Sequence, residues 1–415
     1  MKKIYVFGIG KGEKYLERCL INENVIICGY IDNYKAGEIK EYNGCQVIKQ
    51  RDINQLYDYI VVTLMQYESV KKMLIMNGVD ETKIVCFFNP KDAIKEETWE
   101  VIDCFKWKTE LLFKHHFEVI SPSIDNLQYE LYYDSKEIIN DCPKIVDVDK
   151  TVELIIKNKK NLARFGDGEF ELMCGRSRAA FQKVDMMLAN KLKEAIKSKN
   201  DNLLIAIADN YSCLDKYTDD GARDIRMYLT NSVRKDHMRL LDLDRTYYDA
   251  YISRPYIIYR DKERAKRRFQ NIRRIWDKKD ILIVEGEHTR FGVANDLISN
   301  ANSVNRIICP DKNAFDKYDM IKEKTLEHGK NKLILSILGP TATILAYDIS
   351  QESGYWIVDI GQLDTEYEWC LRGVSERCNV KNKTVSEVIS YLPIDEKNKD
   401  ESMSEYENQV IYRIV

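Results

Sequence analysis

Short apolar runs recur along the chain, and most of them end in a turn that contains glycine or an acid. IYVFGIG near the start, and LLIAIAD, ILIVEGE, LILSILGP and WIVDIGQ further on, each have the pattern of a buried strand, and helical spacing follows several of them. Strands that alternate with helices form parallel sheets whose faces the helices cover. The sequence therefore predicts an α/β protein built from Rossmann-like units.

The length of the chain requires more than one such unit. At 415 residues and 48.7 kDa, two or three domains are expected, each with its own core. The pattern predicts a small Rossmann-like domain over residues 1–90 and a helical connector over 91–145. A larger α/β domain follows over 146–390, and a polar C-terminal tail over 391–415.

Composition narrows the class of protein. The 64 basic and 67 acidic residues give a formal net charge of -3, so no nucleic-acid partner is expected. The 11 cysteines contain no Cys-x-x-Cys pair, which favours reduced thiols in a cytoplasmic protein. Gly339-Pro340 interrupts the longest apolar stretch before it reaches the ~20 residues of a membrane helix, so no membrane span is expected.

The stretch NLARFGDGEFELMCGR carries the strongest candidate chemistry. Asp167 and Glu169 stand two residues apart between glycines, and in an extended chain such side chains point to the same side. Two carboxylates suit a hard divalent cation, which completes its shell with water and substrate phosphates, so the pair implies a diphosphate ligand. Asp-Gly is also a common turn, and the spacing alone does not decide between the two interpretations.

Later turns add residues that suit an anionic group. Arg254 stands beside Pro255, and the loop after ILIVEGE carries Glu287, His288 and Arg290. Another strand leads into the turn at Gly339-Pro340, where a helix start offers free backbone N–H groups. In open α/β sheets, ligands collect at such carboxyl ends of strands.

The first 90 residues allow an alternative function. Gly8, Gly10 and Gly12 follow the first strand and Asp32 ends the second, which approaches the dinucleotide-binding fingerprint, but Glu13 stands where its third glycine would lie. A Rossmann-like module without a dinucleotide is the preferred interpretation. The alternatives are an NAD(P)-dependent sugar-nucleotide oxidoreductase or epimerase, and a domain that docks a partner.

Several motifs in one order resemble a known family. ARFGDGE, SRPY, VEGEHTRFGVANDL, RIICP, LGPTATILAYDI and DIGQLDTEYEW are similar to the bacterial GT-D-fold glycosyltransferases that extend the O-glycan of serine-rich adhesins. The resemblance covers residues 150–390. It implies a cytoplasmic, metal-dependent enzyme with Mn²⁺ or Mg²⁺ as cofactor. This enzyme would move a hexose from a nucleoside diphosphate sugar such as UDP-glucose to a glycan or glycoprotein acceptor. Apart from the resemblance, a partner glycosyltransferase and a second copy of the chain in a homo-oligomer are the candidate protein partners.

The resemblance also assigns site residues. The family's Asp-x-Glu metal motif falls on Asp167 and Glu169, and an inverting transfer needs a carboxylate base, for which Asp364, Glu366 and Glu287 are candidates. Gln362 stands where the family often has histidine, so no role that rests on that histidine carries over. The candidates for binding the nucleotide sugar are Arg164, Phe165, Gly166, Gly168, Arg254, Arg290, Gly339 and Thr341.

Overall fold

The chain forms two compact units. The structure is a computed structural model, and it describes residues 1–53, 56–65, 67–131, 142–176, 182–381, 383 and 401–414. The described residues divide into a unit over residues 1–121 and a unit over residues 122–414. This division falls inside the predicted connector 91–145. No helix among the described residues is long and apolar enough to cross a membrane.

The smaller unit is a six-stranded sheet with helices. Its strands are β1 (Lys2–Phe7), β2 (Val25–Ile31), β3 (Glu41–Tyr42), β4 (Cys45–Ile48), β5 (Tyr59–Val62) and β6 (Ile84–Cys86), and its α-helices are α1 (Lys11–Glu17), α2 (Tyr67–Met76) and α3 (Cys104–Lys114). The strand order is β3-β4-β2-β1-β5-β6, with every pair parallel except β3 with β4. Two apolar clusters bury the strands' side chains, which confirms the predicted Rossmann-like class.

The larger unit contains a nine-stranded parallel sheet. Its strands are β7 (Lys144–Val146), β8 (Asn161–Phe165), β9 (Leu203–Ile207), β10 (Thr246–Asp249), β11 (Asp280–Gly286), β12 (Ser303–Cys309), β13 (Leu333–Ile337), β14 (Trp356–Asp359) and β15 (Val410–Arg413). Their order is β15-β12-β11-β13-β14-β8-β9-β10-β7, and all neighbouring pairs are parallel. All carboxyl ends therefore lie along one edge.

Helices connect and cover these strands. They are α4 (Ser121–Leu131), α5 (Val148–Asn158), α6 (Asp167–Met173), α7 (Met186–Ala195), α8 (Asp219–Tyr228), α9 (Asn231–Leu240), α10 (Lys262–Arg273), α11 (Tyr318–Gly329), α12 (Pro340–Ile349), α13 (Leu363–Leu371) and α14 (Glu401–Gln409). Strand β13 is buried along its whole length, as a strand with both faces covered must be. Helix α12 is apolar and buried around most of its surface because it packs against the centre of the sheet.

The C-terminal residues differ from the predicted polar tail. Helix α14 and strand β15 are part of the larger unit, where β15 adds to the sheet beside β12. The buried guanidinium of Arg306 on β12 donates to Gln409 Oε1 at 2.8 Å and stacks on the ring of Tyr406. The apolar strand and these two contacts explain why a polar composition did not prevent secondary structure here.

Candidate functional site

The carboxyl edge of the larger sheet gathers the loops in which candidate residues were predicted. From β8 the chain proceeds outward to β9 and β10, whereas β13 and β14 approach β8 from the other side. Ligands of open α/β sheets bind where the strand order reverses in this way. The carboxyl ends of β8 and β14 therefore mark the expected crevice.

Asp167 and Glu169 follow β8 directly, but their backbone is helical. They occupy the first and third positions of α6, where successive residues turn by about 100°. The expectation of an extended backbone that aligns the two side chains was therefore wrong. The Glu169 side chain turns back, and its Oε2 accepts the Gly166 N–H at 2.7 Å, as in a capping box.

The two carboxylates have different surroundings. Asp167 is exposed, and its Oδ1 accepts the Gly168 N–H at 3.0 Å. Glu169 is partly enclosed, and burial raises its pKa to about 7. A bound cation would offset this desolvation, because it favours the ionised carboxylate. Both side chains supply carboxylate oxygens, which are the ligand type that a hard divalent cation prefers.

Arg164 is fixed from the neighbouring strand. Its guanidinium donates to Asp359 Oδ1 at 2.8 Å and to Ser253 Oγ at 2.6 Å, and its side chain is only 16% exposed. Burial raises the pKa of Asp359, while the Arg164 charge acts to lower it. Gly361 has a φ of +51°, and a Cβ there would lie 2.2 Å from Arg164 Nη2. The turn after β14 therefore requires glycine to accommodate Arg164.

Arg254 contacts the segment that follows β14. Its Nη2 donates to Gln362 Oε1 at 3.5 Å, at the start of α13. The Tyr251 hydroxyl has both Asp167 and Arg254 among its electrostatic neighbours, and burial raises its pKa. The structure thus brings Asp167, Arg164 and Arg254 to one region, although the sequence separates them widely.

The turn after β13 lies next to the turn after β14, because β13 and β14 are neighbours in the sheet. Gly339 has a φ of +54°, and a Cβ placed on it would meet no atom within 4 Å. Thr343, one turn into α12, donates to the Arg164 carbonyl at 2.8 Å, which places α12 against β8. Thr341 is fully buried, and the Phe165 side chain lies in the apolar core. Any contact of Phe165 with a donor must therefore come from its backbone.

Two of the three candidate bases are buried anchors. Asp364 Oδ1 accepts the Gly292 N–H at 3.0 Å and its Oδ2 accepts Lys383 Nζ at 2.6 Å. Glu366 Oε2 accepts the N–H groups of Tyr256 and Ile257 at 2.9 and 2.8 Å. These contacts fix the loop after β11 and the segment after Pro255. Glu287, the third candidate, is exposed.

A cluster that includes Glu287 lies at the end of β11. Ligand atoms of Glu287, His288 and Asp311 lie within 4.8 Å of one another. Asp311 accepts the His288 N–H at 2.9 Å and also contacts His288 Nδ1, and this contact raises the pKa of the imidazole. Arg290 is in the left-handed region (φ +49°) and close to His288. Strands β11 and β8 are three strand positions apart, so the strands themselves are separated by about 14 Å in the sheet.

Comparisons with known proteins agree with this architecture. The model of the family described as Glycosyltransferase GT-D fold matches residues 162–388. The chain belongs to the GT-D-fold glycosyltransferase family. A second model, described as C2185-like, N-terminal, matches residues 1–85.

Individual relatives point the same way. The chain is 37% identical over 244 residues to "Probable glycosyl transferase Gly" of Streptococcus gordonii, which covers 59% of this chain and 35% of the relative. It is 33% identical over 263 residues to "Glycosyltransferase GlyD" of Streptococcus pneumoniae serotype 4. This alignment covers 63% of this chain and 32% of the relative. The chain thus spans about a third of the length of the curated relatives it matches.

Solved structures extend the match to the fold. One, described as showing that the highly conserved domain of unknown function 1792 has a distinct glycosyltransferase fold, is 35% identical with a TM-score of 0.62. It covers 68% of this chain and 99% of its own. A second, described as a new glycosyltransferase from Streptococcus sanguinis, is 33% identical with a TM-score of 0.60 and covers 66% and 100%. These matches confirm the predicted GT-D fold.

Two residues near the candidate site, Asp311 and His237, were not predicted from the sequence. Asp311 follows β12 directly, and its position after the apolar run RIICP was the signal that could have revealed it. His237 lies on α9, where it accepts or donates a hydrogen bond with Tyr211 at 2.7 Å and stacks on Phe170 of α6. No local pattern marks His237, because its partners come from three separate segments.

The smaller unit uses its glycine turn for internal contacts. Asp32 Oδ2 accepts the Ile9 N–H at 3.3 Å, and Lys35 Nζ donates to the Ile9 carbonyl at 2.7 Å. Glu13 is buried in α1 and accepts from the Tyr42 hydroxyl at 3.1 Å. A Cβ on Gly12 would lie 1.9 Å from the Thr63 carbonyl oxygen, so this glycine serves close packing. The residues of the incomplete fingerprint therefore hold the turn itself.

Proposed function

We propose that this protein transfers a hexose from a nucleoside diphosphate sugar, such as UDP-glucose, to a glycan or glycoprotein acceptor with the help of Mn²⁺ or Mg²⁺. The pathway would be bacterial glycoprotein or surface polysaccharide biosynthesis in the cytoplasm. One observation carries the proposal: a GT-D domain presents the carboxylates of Asp167 and Glu169 at the reversal point of its sheet.

Asp167 and Glu169 would hold the cation. When bound, the cation supplies charge neutralisation for the diphosphate as the glycosidic bond breaks. Asp167 offers an exposed carboxylate. Glu169 would bind the cation through Oε1, because its Oε2 accepts the Gly166 N–H. The capping contact fixes the Glu169 rotamer before the donor arrives, which favours a preorganised site.

Arginines and backbone groups would bind the diphosphate. Arg254 borders the crevice beside Asp167, and the N–H groups at the Gly339 turn form the start of a ten-residue helix. Arg164 carries a charge that Asp359 already balances, so we assign it a positioning role more than a direct phosphate contact. Arg290 is the candidate in the loop after β11, and Gly166, Gly168 and Thr341 would contribute backbone contacts.

The proton acceptor is best sought at the end of β11. An inverting transfer needs a group that accepts the acceptor hydroxyl's proton. Asp364 and Glu366 are buried and bonded to backbone N–H groups, which keeps them away from a sugar hydroxyl. Glu287 is exposed beside His288 and Asp311, so it is the preferred base among the three predicted residues.

The smaller unit is proposed as a docking module for a partner or a second copy of the chain. The predicted domain limits, 1–90, 91–145, 146–390 and 391–415, remain predictions. An NAD(P)-dependent oxidoreductase is less well supported, because Asp32 is bonded to Ile9 of the glycine turn after β1. The full chain should show no saturable NAD(H) binding at millimolar concentration. Saturable binding that an Asp32→Ala change abolishes would favour the oxidoreductase.

The transfer itself is tested by a panel of nucleoside diphosphate sugars, with release of the nucleoside diphosphate as the readout. We expect turnover with one or a few donors, stimulation by Mn²⁺ or Mg²⁺, and loss of turnover in excess chelator. Full activity in chelator would remove the metal from the proposal. No turnover with any donor and glycan acceptor would contradict the proposal as a whole.

A further inference from the structure

A cavity with a positive lining lies between α4 and α9 of the larger unit. It has a volume of about 340 Å³, and its cations Arg234, Lys235 and Arg239 face the apolar side chains of Tyr129, Met238 and Leu243. No acidic residue of the described chain is part of this lining. The volume is within the range of small-molecule sites, and none of the proposed donor-binding residues lines it.

Arg234 is the most informative residue of the cavity. Its side chain is 4% exposed, and its guanidinium donates to the Tyr211 carbonyl at 2.9 Å and to Asn126 Oδ1 at 3.0 Å. The Tyr129 ring lies 3.7 Å from the guanidinium. Among the described residues, no carboxylate forms an ion pair with it, and burial lowers its pKa. A buried charge that lacks a counter-charge is costly, and a bound anion would remove that cost.

The other two cations reinforce the positive field. Lys235 is exposed and makes no ion pair within the described part of the chain. Arg239 lies 3.4 Å from Asp236, but Asp236 also pairs with Arg176 at 3.1 Å. One carboxylate is therefore shared by two arginines, and the described lining residues carry a net positive charge.

We propose that this cavity binds an anionic group, a phosphate or carboxylate borne by a small molecule or by a sugar residue, with the apolar wall of Tyr129 and Met238 against the carbon skeleton. Guanidinium groups pair with phosphate and carboxylate oxygens through two hydrogen bonds at once, and Lys235 adds a point charge at the entrance. The anion is a ligand in this proposal, and no covalent step takes place.

The cavity is connected to helix α6, which carries the candidate metal ligands. The Tyr211 carbonyl accepts from Arg234, and the Tyr211 hydroxyl bonds to His237 Nδ1 at 2.7 Å. His237 in turn stacks on Phe170 of α6 with ring centroids 3.8 Å apart. Helix α6 begins at Asp167, so the anion site and the candidate metal ligands share one contiguous set of contacts. Two sources of the anion fit this placement: a charged substituent of the acceptor, and a free phosphorylated metabolite.

Binding is tested on the full chain without divalent metal or nucleotide. Calorimetric titration with glucose 6-phosphate, and separately with glucuronate, should give saturable binding that weakens as salt rises. Lys235→Glu and Arg239→Glu should each weaken binding at least about tenfold. Lys317→Glu is the matched control, since Lys317 is an exposed lysine outside the cavity and the change in net charge is the same.

The outcomes separate the proposal from its alternatives. Absence of binding at 10 mM of either probe, or equal binding by Lys235→Glu and Lys317→Glu, would overturn it. Arg234→Gln should abolish binding if the variant folds, and Lys235→Glu decides the matter if it does not. The binding measurement does not involve donor turnover. Failure of the anion-site proposal is therefore distinguishable from failure of the transferase proposal.

A second arm identifies the source of the anion. If the acceptor carries it, Lys235→Glu raises KM for carboxylate-bearing acceptors and leaves KM for neutral acceptors unchanged. If a free metabolite carries it, KM for all acceptors stays the same, and glucose 6-phosphate changes the transfer rate of the parent enzyme but not of Lys235→Glu. Binding without either kinetic effect would contradict the connection to α6.

Discussion

The small and the large sheet both place a glycine-containing turn after a central strand, but they use the polar groups of that turn differently. In the small unit, Asp32 and Lys35 bond to the backbone of Ile9. In the large unit, Asp167 remains exposed, while Arg164 and Glu169 are held by partners around it. A parallel sheet thus supplies an edge, and the side chains left accessible there decide whether the edge can bind a ligand.

The largest expected effect is the loss of sugar transfer when Asp167, in the turn after β8, is changed. Asp167→Asn removes the exposed carboxylate without changing its shape, so sugar transfer should fall on the order of 1,000-fold, the several kcal/mol that a catalytic metal supplies. Initial rates at saturating donor measure this. Asp220→Asn is the matched control, because Asp220 is an exposed aspartate in the first turn of α8. Equal rates in both variants would contradict the proposed metal role.

A second change tests whether Arg164 must be fixed. Gly361→Ala forces a Cβ to within 2.2 Å of Arg164 Nη2, so the guanidinium or the turn after β14 must shift. This shift of the guanidinium or the turn should lower the rate of sugar transfer roughly 100-fold. The forced contact should also lower the unfolding free energy by about 1–3 kcal/mol. Thermal melts and rates measure both.

Gly354→Ala provides the comparison for Gly361→Ala. Gly354 also has a positive φ, at +86°, but a Cβ there meets no atom within 4 Å. It should therefore lose stability through backbone strain alone and keep its transfer rate. If the two variants behaved alike, the Arg164 contact would not matter for activity.

The pH dependence of stability tests the packing behind α6. Burial lowers the pKa of His237 to about 4 from its usual 6.5, so the folded protein binds fewer protons than the unfolded chain between these values. Stability should rise with pH across this window by up to about 3 kcal/mol and be complete above pH 6.5. Chemical unfolding of the parent and of His237→Gln at pH 4.5 and 7 measures it.

His237→Gln should lose this component of the pH dependence of stability. The control variant His116→Gln, at an exposed histidine, should keep it. A His237→Gln profile that parallels the parent profile would show that the buried imidazole does not titrate as the packing requires.

The smallest effect is expected in the small unit. Asp32→Ala removes the acceptor for the Ile9 and Lys35 N–H groups, so the small unit should lose about 1 kcal/mol of stability while sugar transfer stays unchanged. Melting temperature and transfer rate are the readouts. A large fall in transfer would mean that the small unit's turn takes part in the reaction.

The sequence predicted the strands better than the site. The runs ILIVEGE and LILSILGP are apolar enough that only buried parallel strands explain them, and β11 and β13 confirm this. The position of Asp167 after a strand was equally readable. The helical backbone at Asp167 was not, because the cap formed by Glu169 depends on a side-chain rotamer.

Long-range contacts account for the remaining differences. Asp364 and Glu366 have the local pattern of an acidic loop, yet each bonds to backbone N–H groups many residues away, at Gly292 and Tyr256. Strand β15 follows a polar segment, yet it pairs with β12, where Arg306 bonds to Gln409. Neither contact leaves a signature in the local sequence.

Binding of Mn²⁺ in the presence of UDP is the most direct measurement of the central claim, with the parent chain and Asp167→Asn compared by calorimetry. The parent should bind one Mn²⁺ together with UDP, and Asp167→Asn should lose this binding while Asp220→Asn retains it. Unchanged Mn²⁺ and UDP binding by Asp167→Asn would contradict a metal and donor site at the end of β8.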